Sequence, residues 1–419
     1  MNIIIEIARI KYFNEFINDA SKEIYTAYNK WINKPHNKNN VEYSFKYPIN
    51  KLQIYANKNL RRVILFIVGL INSDKYVLFP NKEILIENKI MILNELFYIS
   101  KGTNLPYDKI NNILINNSNN YRDKIDTLYN AIDENVQYDI IKEIDGEYCN
   151  LKYKFEDYEV DNSHKSSTTY PRRYERNIKL KYTDYKSLKN KYVNNDNNKT
   201  KDVNKYIVQL MIRYNCFGDE KGMCLSANTL YDFIKDKKYD EISLEEFAGS
   251  LNSNLSNYCS LFYDIEHKFG SNGSFFMLSE EKLNKYKIFI SNPPFISIVL
   301  KHNFEKNLKI LERVDPVDII ICVPDRRSNE QYNKNEQSGH HISYGTTKQI
   351  DRYEDYEGYD SLYKYTKHVI NMNDYKYYDY FIGHDSVIGG STIFVCLSNY
   401  KSKLWKKFIK FLSSFNNFT

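Results

Sequence analysis

The chain has 419 residues, room for two or three domains, and its 42% hydrophobic content supplies real cores, which excludes a disordered chain. Lys and Arg number 59 against 53 Asp and Glu, a net charge of +6 that permits a polyanionic partner without demanding one. Cys149, Cys216, Cys224, Cys259, Cys322 and Cys396 form no CxxC pair or His-containing cluster at ligand spacing, so neither a disulfide framework nor a zinc site is expected, and no metal is assigned.

Met1 to Ile10 mixes Glu and Arg into its apolar residues and is a poor secretory segment. The longest apolar run, Val63 to Ile71, falls short of the roughly 20 residues that cross a bilayer. A soluble intracellular protein with no membrane partner is expected. Asn, Lys and Ile are abundant and tyrosines number 39, as an AT-rich coding sequence would give, so aromatic or Lys counts alone carry little weight.

Residues 1–156 read as a helical N-terminal domain. Ile84, Ile86, Ile90, Leu93, Leu96 and Phe97 recur near helical spacing, and polar runs such as Asn116 to Asn120 are expected to break the helices. Residues 157–204 read as a basic polar linker. Within it, Pro171 to Tyr192 carries Arg172, Arg173, Arg176, Lys179, Lys181, Lys186, Lys189 and Lys191 against Glu175 and Asp184, with tyrosines interleaved. Such a strip suits a phosphodiester chain, cations on the backbone and rings on the bases; it equally suits a solvated surface in a Lys- and Tyr-rich chain.

From residue 205 to 419, short apolar runs alternate with longer helical or loop segments: Ser243 to Gly249, Gly273 to Leu278, Lys287 to Ser291, Asp318 to Pro324 and Ser391 to Asn399. The alternation predicts a largely parallel α/β sheet, with the ligand beyond the carboxyl ends of its strands. Two small-residue loops suit close approach to a ligand: Phe247, Ala248, Gly249, Ser250, Leu251 and Asn252, then Phe269, Gly270, Ser271, Asn272 and Gly273.

Asn292, Pro293, Pro294 and Phe295 follow the run Lys287 to Ser291, in a chain with only nine prolines. The prolines fix φ, remove two backbone donors and push Asn292 toward extended backbone, leaving a stiff, acceptor-rich turn. An exocyclic amine of a nucleobase is a poor nucleophile because its lone pair is delocalised. The side-chain oxygen of Asn292 and the carbonyl of Pro293 would grip its hydrogens and localise that pair, while Phe295 offers a stacking face.

This tetrapeptide resembles motif IV of the S-adenosylmethionine-dependent amino-methyltransferases. Together with "FAGSLN", "YCSLF", "FGSNGSFF" and "IIICVPDRR", it is similar in order and spacing to the phosphorylated-CTD-interacting factor family, over about half of the chain. The resemblance implies a Rossmann-like class I methyltransferase domain and a helical N-terminal domain. It further implies S-adenosyl-L-methionine as cofactor, and methylation at N6 of the adenosine beside a 7-methylguanosine cap, with capped mRNA as partner. Phe247, Ala248, Ser250, Asn252, Phe269, Gly270, Ser271, Gly273 and Asn292 would hold the donor.

Ser297, where cellular members carry an acidic residue, and Arg326, where they carry Trp, depart from the family; with Arg327 and Tyr375 they are assigned to substrate. Arg172 and Arg173 are assigned to the RNA chain. Trp31 and Trp405, the only tryptophans, are too far apart for a WW pair, so polymerase-tail binding through a WW domain is not expected. His340-His341 lacks further ligands at metal spacing, and Lys401 to Phe411 reads as an amphipathic closing helix. A DNA adenine-N6 or cytosine-N4 methyltransferase, and a silent RNA-binding protein of the same fold, are the alternatives.

Overall fold

In the computed structural model the chain is described over residues 3–32, 57, 60–68, 78–89, 92, 96, 107–131, 139–156, 173–195, 202–217, 223–225, 230–294, 296–324, 360–372, 376–379, 386–388 and 392–412. The first element, α1 (Ile3–Ile32), buries Ile3, Ile10, Phe13, Ile17, Ala20, Ile24, Ala27 and Trp31. From Ile10 on, their spacing of three or four lays an apolar stripe along one helix face, and Ile3 lies two turns before it on the same face. That face packs on α2 (Tyr107–Ala131), which answers with Ile110, Leu114, Tyr121 and Ile125.

The Asn-rich run expected to break a helix lies inside α2 instead. Its apolar frame continues unbroken on either side, and two polar members find backbone acceptors. Asn117 Nδ2 donates to the Ile113 carbonyl at 2.9 Å, and Ser118 Oγ to that of Pro80 at 2.6 Å. Burial against α1 outweighs the weak helix preference of Asn, which is a few tenths of a kcal/mol per residue. Of the spaced apolar residues near Ile84, a short helix Lys82–Glu87 forms behind the cap of Asn81, while Ile90, Leu93 and Phe97 lie outside the described residues.

A three-stranded antiparallel sheet follows, of β1 (Asp139–Asp145), β2 (Tyr148–Glu156) and β3 (Arg173–Lys181), in that order. The β1–β2 hairpin falls within the segment read as helical; Gly146, at φ 57°, takes the first place of its two-residue turn, where the left-handed region favours glycine. After β3 come α3 (Tyr182–Val193) and α4 (Val203–Tyr214). The stretch 173–193, read as linker, is therefore regular structure whose Leu180, Tyr185, Leu188 and Tyr192 are buried.

The central sheet has the order β6-β5-β7-β8-β12-β9. Its strands are β5 (Ser243–Ala248), β6 (Tyr258–Ser260), β7 (Ile288–Ser291), β8 (Asp318–Pro324), β9 (Thr366–Met372) and β12 (Thr392–Ser398). The pairs β5–β6, β5–β7 and β7–β8 are parallel, and β12 is antiparallel to both β8 and β9. β4 (Met223–Leu225), β10 (Lys376–Asp379) and β11 (Ser386–Ile388) make a separate small sheet.

Helices cover both faces of the central sheet, an α/β arrangement compatible with a Rossmann-like fold. α5 (Leu230–Asp236) and α7 (Leu404–Leu412) pack on Ile288, Ile290, Ile320, Cys322, Phe394 and Cys396. α6 (Ser297–Leu311) packs on the alternate residues Phe289, Ile319, Ile321, Ile393, Val395 and Leu397. The closing helix expected at the end of the chain is α7, with Trp405 and Phe408 buried.

Four of the five apolar runs are strands. Gly273 to Leu278 is not: it holds a 3₁₀ turn, Phe275–Met277, whose Phe275 stands edge-on to Phe247 at 5.9 Å. Aromatic packing at the sheet's edge takes the place of strand pairing there. Among the described residues no helix is long and apolar enough to cross a membrane, and no group of three or more His, Cys, Asp or Glu is placed to hold a metal ion.

Candidate active site

The chain runs from β5 to β6 on one side, then returns past β5 to β7 on the other, so the strand order reverses at the carboxyl ends of β5 and β7. Ligands of open α/β sheets bind at such a point. Glu245 of β5 pairs with Ile290 of β7; two residues further along that register, Phe247 is level with Asn292.

Asn292 to Ile296 is the whole connection from β7 to α6. Asn292 is partly exposed, Pro293 buried and Pro294 partly exposed. Ile296 N–H donates to the Pro294 carbonyl at 2.7 Å, and Leu300 N–H to the Ile296 carbonyl at 3.0 Å, which starts the helix without a side-chain cap. Phe295 lies outside the described residues, as do Arg172, Arg326, Arg327, Tyr375, Asp325 and His340-His341. Ser297 opens α6 and Arg173 opens β3; their side chains are not among those described.

From β5 the chain reaches the parallel strand β6 in only nine residues, Gly249 to Asn257, without a helix. A parallel crossover this short is unusual, and it is held by charged groups. Lys191 of α3 donates to the carbonyls of Ser250 at 2.8 Å and Ser253 at 3.1 Å, and to Ser253 Oγ. Glu245 accepts from the backbone N–H groups of Asn254 at 2.9 Å and Leu255 at 3.3 Å, and from the Tyr231 hydroxyl at 2.6 Å. Glu266 accepts from the N–H groups of Ser250 at 2.7 Å and Phe262 at 3.0 Å and from the Tyr214 hydroxyl. Burial lowers the Lys191 pKa to about 8 and raises that of Glu245.

Gly249 sits where a side chain has no room, since a Cβ there would lie 2.8 Å from the Tyr214 hydroxyl and 3.2 Å from Glu266 Oε1. Its N–H is held by Asn252 Oδ1 at 2.6 Å. Ser250, expected to contact a donor, is fully buried with N–H, carbonyl and hydroxyl all engaged by Glu266, Lys191 and Tyr258. It shapes the loop. The surface left open comprises Phe247, Ala248, Gly249 and Asn252, all partly exposed.

The second small-residue loop lies along the free edge of β6. Asn272 N–H donates to the Tyr258 carbonyl at 2.9 Å, and Ser260 N–H to that of Gly273 at 2.9 Å. Phe269 and Ser271 are buried, Ser271 Oγ lying 2.6 Å from Ser260 Oγ, whereas Gly270 is exposed. Tyr258 joins the two loops, its hydroxyl lying 3.0 Å from Ser250 Oγ and donating to the Phe269 carbonyl at 2.8 Å. The loops and Asn292 thus share one end of the sheet.

Sequence reasoning missed the clamp itself. Two adjacent acidic residues in an apolar strand run, Glu245 and Glu246, were its visible signal, because buried carboxylates require partners. Lys191 gave none, standing among seven similar cations in one basic stretch. That stretch presents no single face: Leu180 turns inward between Lys179 and Lys181, Lys186 and Lys189 are exposed on α3, and Lys191 turns in to the loop.

No curated protein matches the chain. Residues 181–357 match the family model described as the phosphorylated CTD interacting factor 1 WW domain. The matched segment contains both small-residue loops, the clamp residues Lys191, Glu245 and Glu266, and the Asn292 turn, and neither of the chain's two tryptophans. Over these residues the chain is similar to the phosphorylated CTD interacting factor 1 family.

Proposed function

We propose that the protein is an S-adenosylmethionine-dependent methyltransferase that modifies the N6 amine of the adenosine beside an mRNA cap. The observation that carries the reading is the position of Asn292 and Pro293: they leave the central strand β7 at the switch point, beside the open residues Phe247, Ala248, Gly249 and Asn252. The donor, when bound, supplies a methyl group on a sulfonium. Those small, partly exposed residues suit it, since they leave room at a loop whose shape is already fixed.

Asn292 Oδ1 and the Pro293 carbonyl accept the two hydrogens of the amine and aim its lone pair, Pro294 stiffens the turn, and Phe295 stacks on the base. The amine loses its proton to water after transfer. Arg326, Arg327 and Tyr375 contact the cap side, with Arg172 and Arg173 on the RNA backbone. Polymerase-tail binding through a tryptophan pair forms no part of this reading.

The test is mass spectrometry of nucleosides from capped RNA and from duplex DNA, each incubated with labelled donor. N6-methyladenosine in the RNA alone is expected, and methylated bases in the DNA alone would favour the DNA-modifying alternative. Asn292→Ala should abolish transfer and leave the circular dichroism spectrum unchanged; an active variant overturns the assigned mechanism.

A second reading, an RNA-binding protein without turnover, draws on a separate observation. Both carboxylates following β6 are already engaged: Asp264 is held by Arg213 through two bonds, at 2.9 and 2.8 Å, and Glu266 by three donors. Neither is unpaired for a donor's ribose. Calorimetric titration with S-adenosylmethionine separates the readings, a measurable affinity supporting the enzyme.

A further inference from the structure

Glu246 lies in β5 of the central sheet, on the face covered by α6, and is 1% exposed. Its Oε2 accepts from Nδ2 of Asn303 at 2.7 Å and of Asn307 at 3.2 Å, one turn apart on α6. Asn303 Oδ1 accepts from the hydroxyl of Ser291 at 3.0 Å. Ser291 directly precedes Asn292. This buried chain joins β5, the last residue of β7 and the helix that follows the Asn-Pro-Pro-Phe segment, so it grips that segment at both ends.

The pocket is short of donors. Glu246 Oε1 and Asn307 Oδ1 are both buried and accept no hydrogen bond. A buried acceptor left in that state costs about 1–3 kcal/mol, and an unpaired buried charge more. A proton on Oε1 removes the charge and turns one orphan acceptor into a donor. The ionisable groups that face Glu246 do not replace that proton. Lys306 of α6 spends its ammonium on the carbonyls of Phe276 at 3.1 Å and Leu278 at 3.0 Å. Cys259 of β6 is a thiol whose pKa burial pushes well up; Cys322 of β8, also raised, lies on the other face, under α5 and α7. Glu245 points to the opposite face, toward Tyr231.

We propose that Glu246 is a positioning residue that, while protonated, holds the Asn292 turn through Asn303 and Ser291, and that its ionisation loosens the turn. Burial raises its pKa to about 7, within the range where such a proton is exchanged in a cell. The consequence for rate rests on the methyl-transfer reading; the proton does not.

The test uses the full chain as wild type, Glu246→Gln and Ser291→Ala. Infrared spectra should show a protonated-carboxyl band that titrates near pH 7 and is missing from Glu246→Gln, which keeps the fold. The wild-type melting temperature should fall between about pH 5 and 7.5 and level off above, and kcat should fall several-fold between about pH 6 and 8.5 with KM for RNA unchanged, while Glu246→Gln stays flat in both. Ser291→Ala should fold and lose kcat several-fold at pH 6. The proposal is overturned by an absent band at pH 6, a Glu246→Gln chain that does not fold or follows the wild-type pH profile, or an unchanged kcat in Ser291→Ala. A wild type that binds donor but transfers nothing sinks the methyl-transfer reading, and the band and melting curves then decide the proton alone.

Discussion

The ammonium of Lys191 donates to the carbonyl oxygen of Ser250 at 2.8 Å, across 59 residues of sequence. The contact ties α3 to the loop that crosses from β5 to β6. Its pKa, lowered to about 8 from 10.5 mainly by burial, sets a sign. The unfolded chain keeps this proton to higher pH than the folded one, so the Lys191 contribution should make stability rise between about pH 8 and 10.5. Allowing for partial exposure, the rise is about 1–3 kcal/mol. Lys191→Met should remove it in urea titrations at pH 7.5 and 10. The variant should also weaken binding of S-adenosylmethionine several-fold in calorimetry, since two loop carbonyls lose their donor. An unchanged affinity would show that the clamp is irrelevant to the site.

Gly249 and Tyr214 should couple. A methyl at Gly249 meets the Tyr214 hydroxyl at 2.8 Å, and that hydroxyl cannot swing aside freely, because it is bonded to Glu266 inside a buried cluster. Gly249→Ala is expected to cost about 1–3 kcal/mol, the usual range for overpacking. Tyr214→Phe opens the space and loses one hydrogen bond. The double variant should then be less destabilised than the sum of the singles by at least about 0.5 kcal/mol, measured by chemical denaturation. Strict additivity would mean that the clash is relieved elsewhere.

The parts of the fold legible in the sequence were those that local rules decide. β5, β7, β8 and β12 each stand out as a short apolar run, and the prolines after Ser291 mark where β7 stops. Asn116 to Asn120 misled because helix preference is small beside the burial of Leu114 and Tyr121 on either side. The β1–β2 hairpin had a signal, Asp145-Gly146, outweighed by the helical look of the preceding segment. Phe275 and Phe276 have strand-like chemistry, but their partner is the ring of Phe247. The part of Lys191 in the clamp was illegible for a different reason: a buried charge is known by its partner, and Lys191 meets Ser250 only through the tertiary fold.

Arg213 carries the last prediction, at the join between the N-terminal helix and the sheet. Its guanidinium bonds Asp264 through two nitrogens, at 2.9 and 2.8 Å, and Glu6 of α1 through Nε and Nη2, while Arg9 reaches the same two carboxylates. Arg213, Arg9 and Glu6 are at most 1% exposed. Replacing one member of such a network leaves an uncompensated buried charge, so Arg213→Met should cost about 3–5 kcal/mol in urea unfolding. Arg213→Lys should recover only part, since an ammonium cannot serve two carboxylates as a fork. Despite burial, the two arginines lower the Asp264 pKa below its ordinary 3.8. Its contribution is thus fully present above about pH 4 and lost as pH falls through the depressed value. In Arg213→Met that protection disappears, and the acid unfolding midpoint should move upward; a midpoint equal to the wild type's would show that the network does not hold the two parts together.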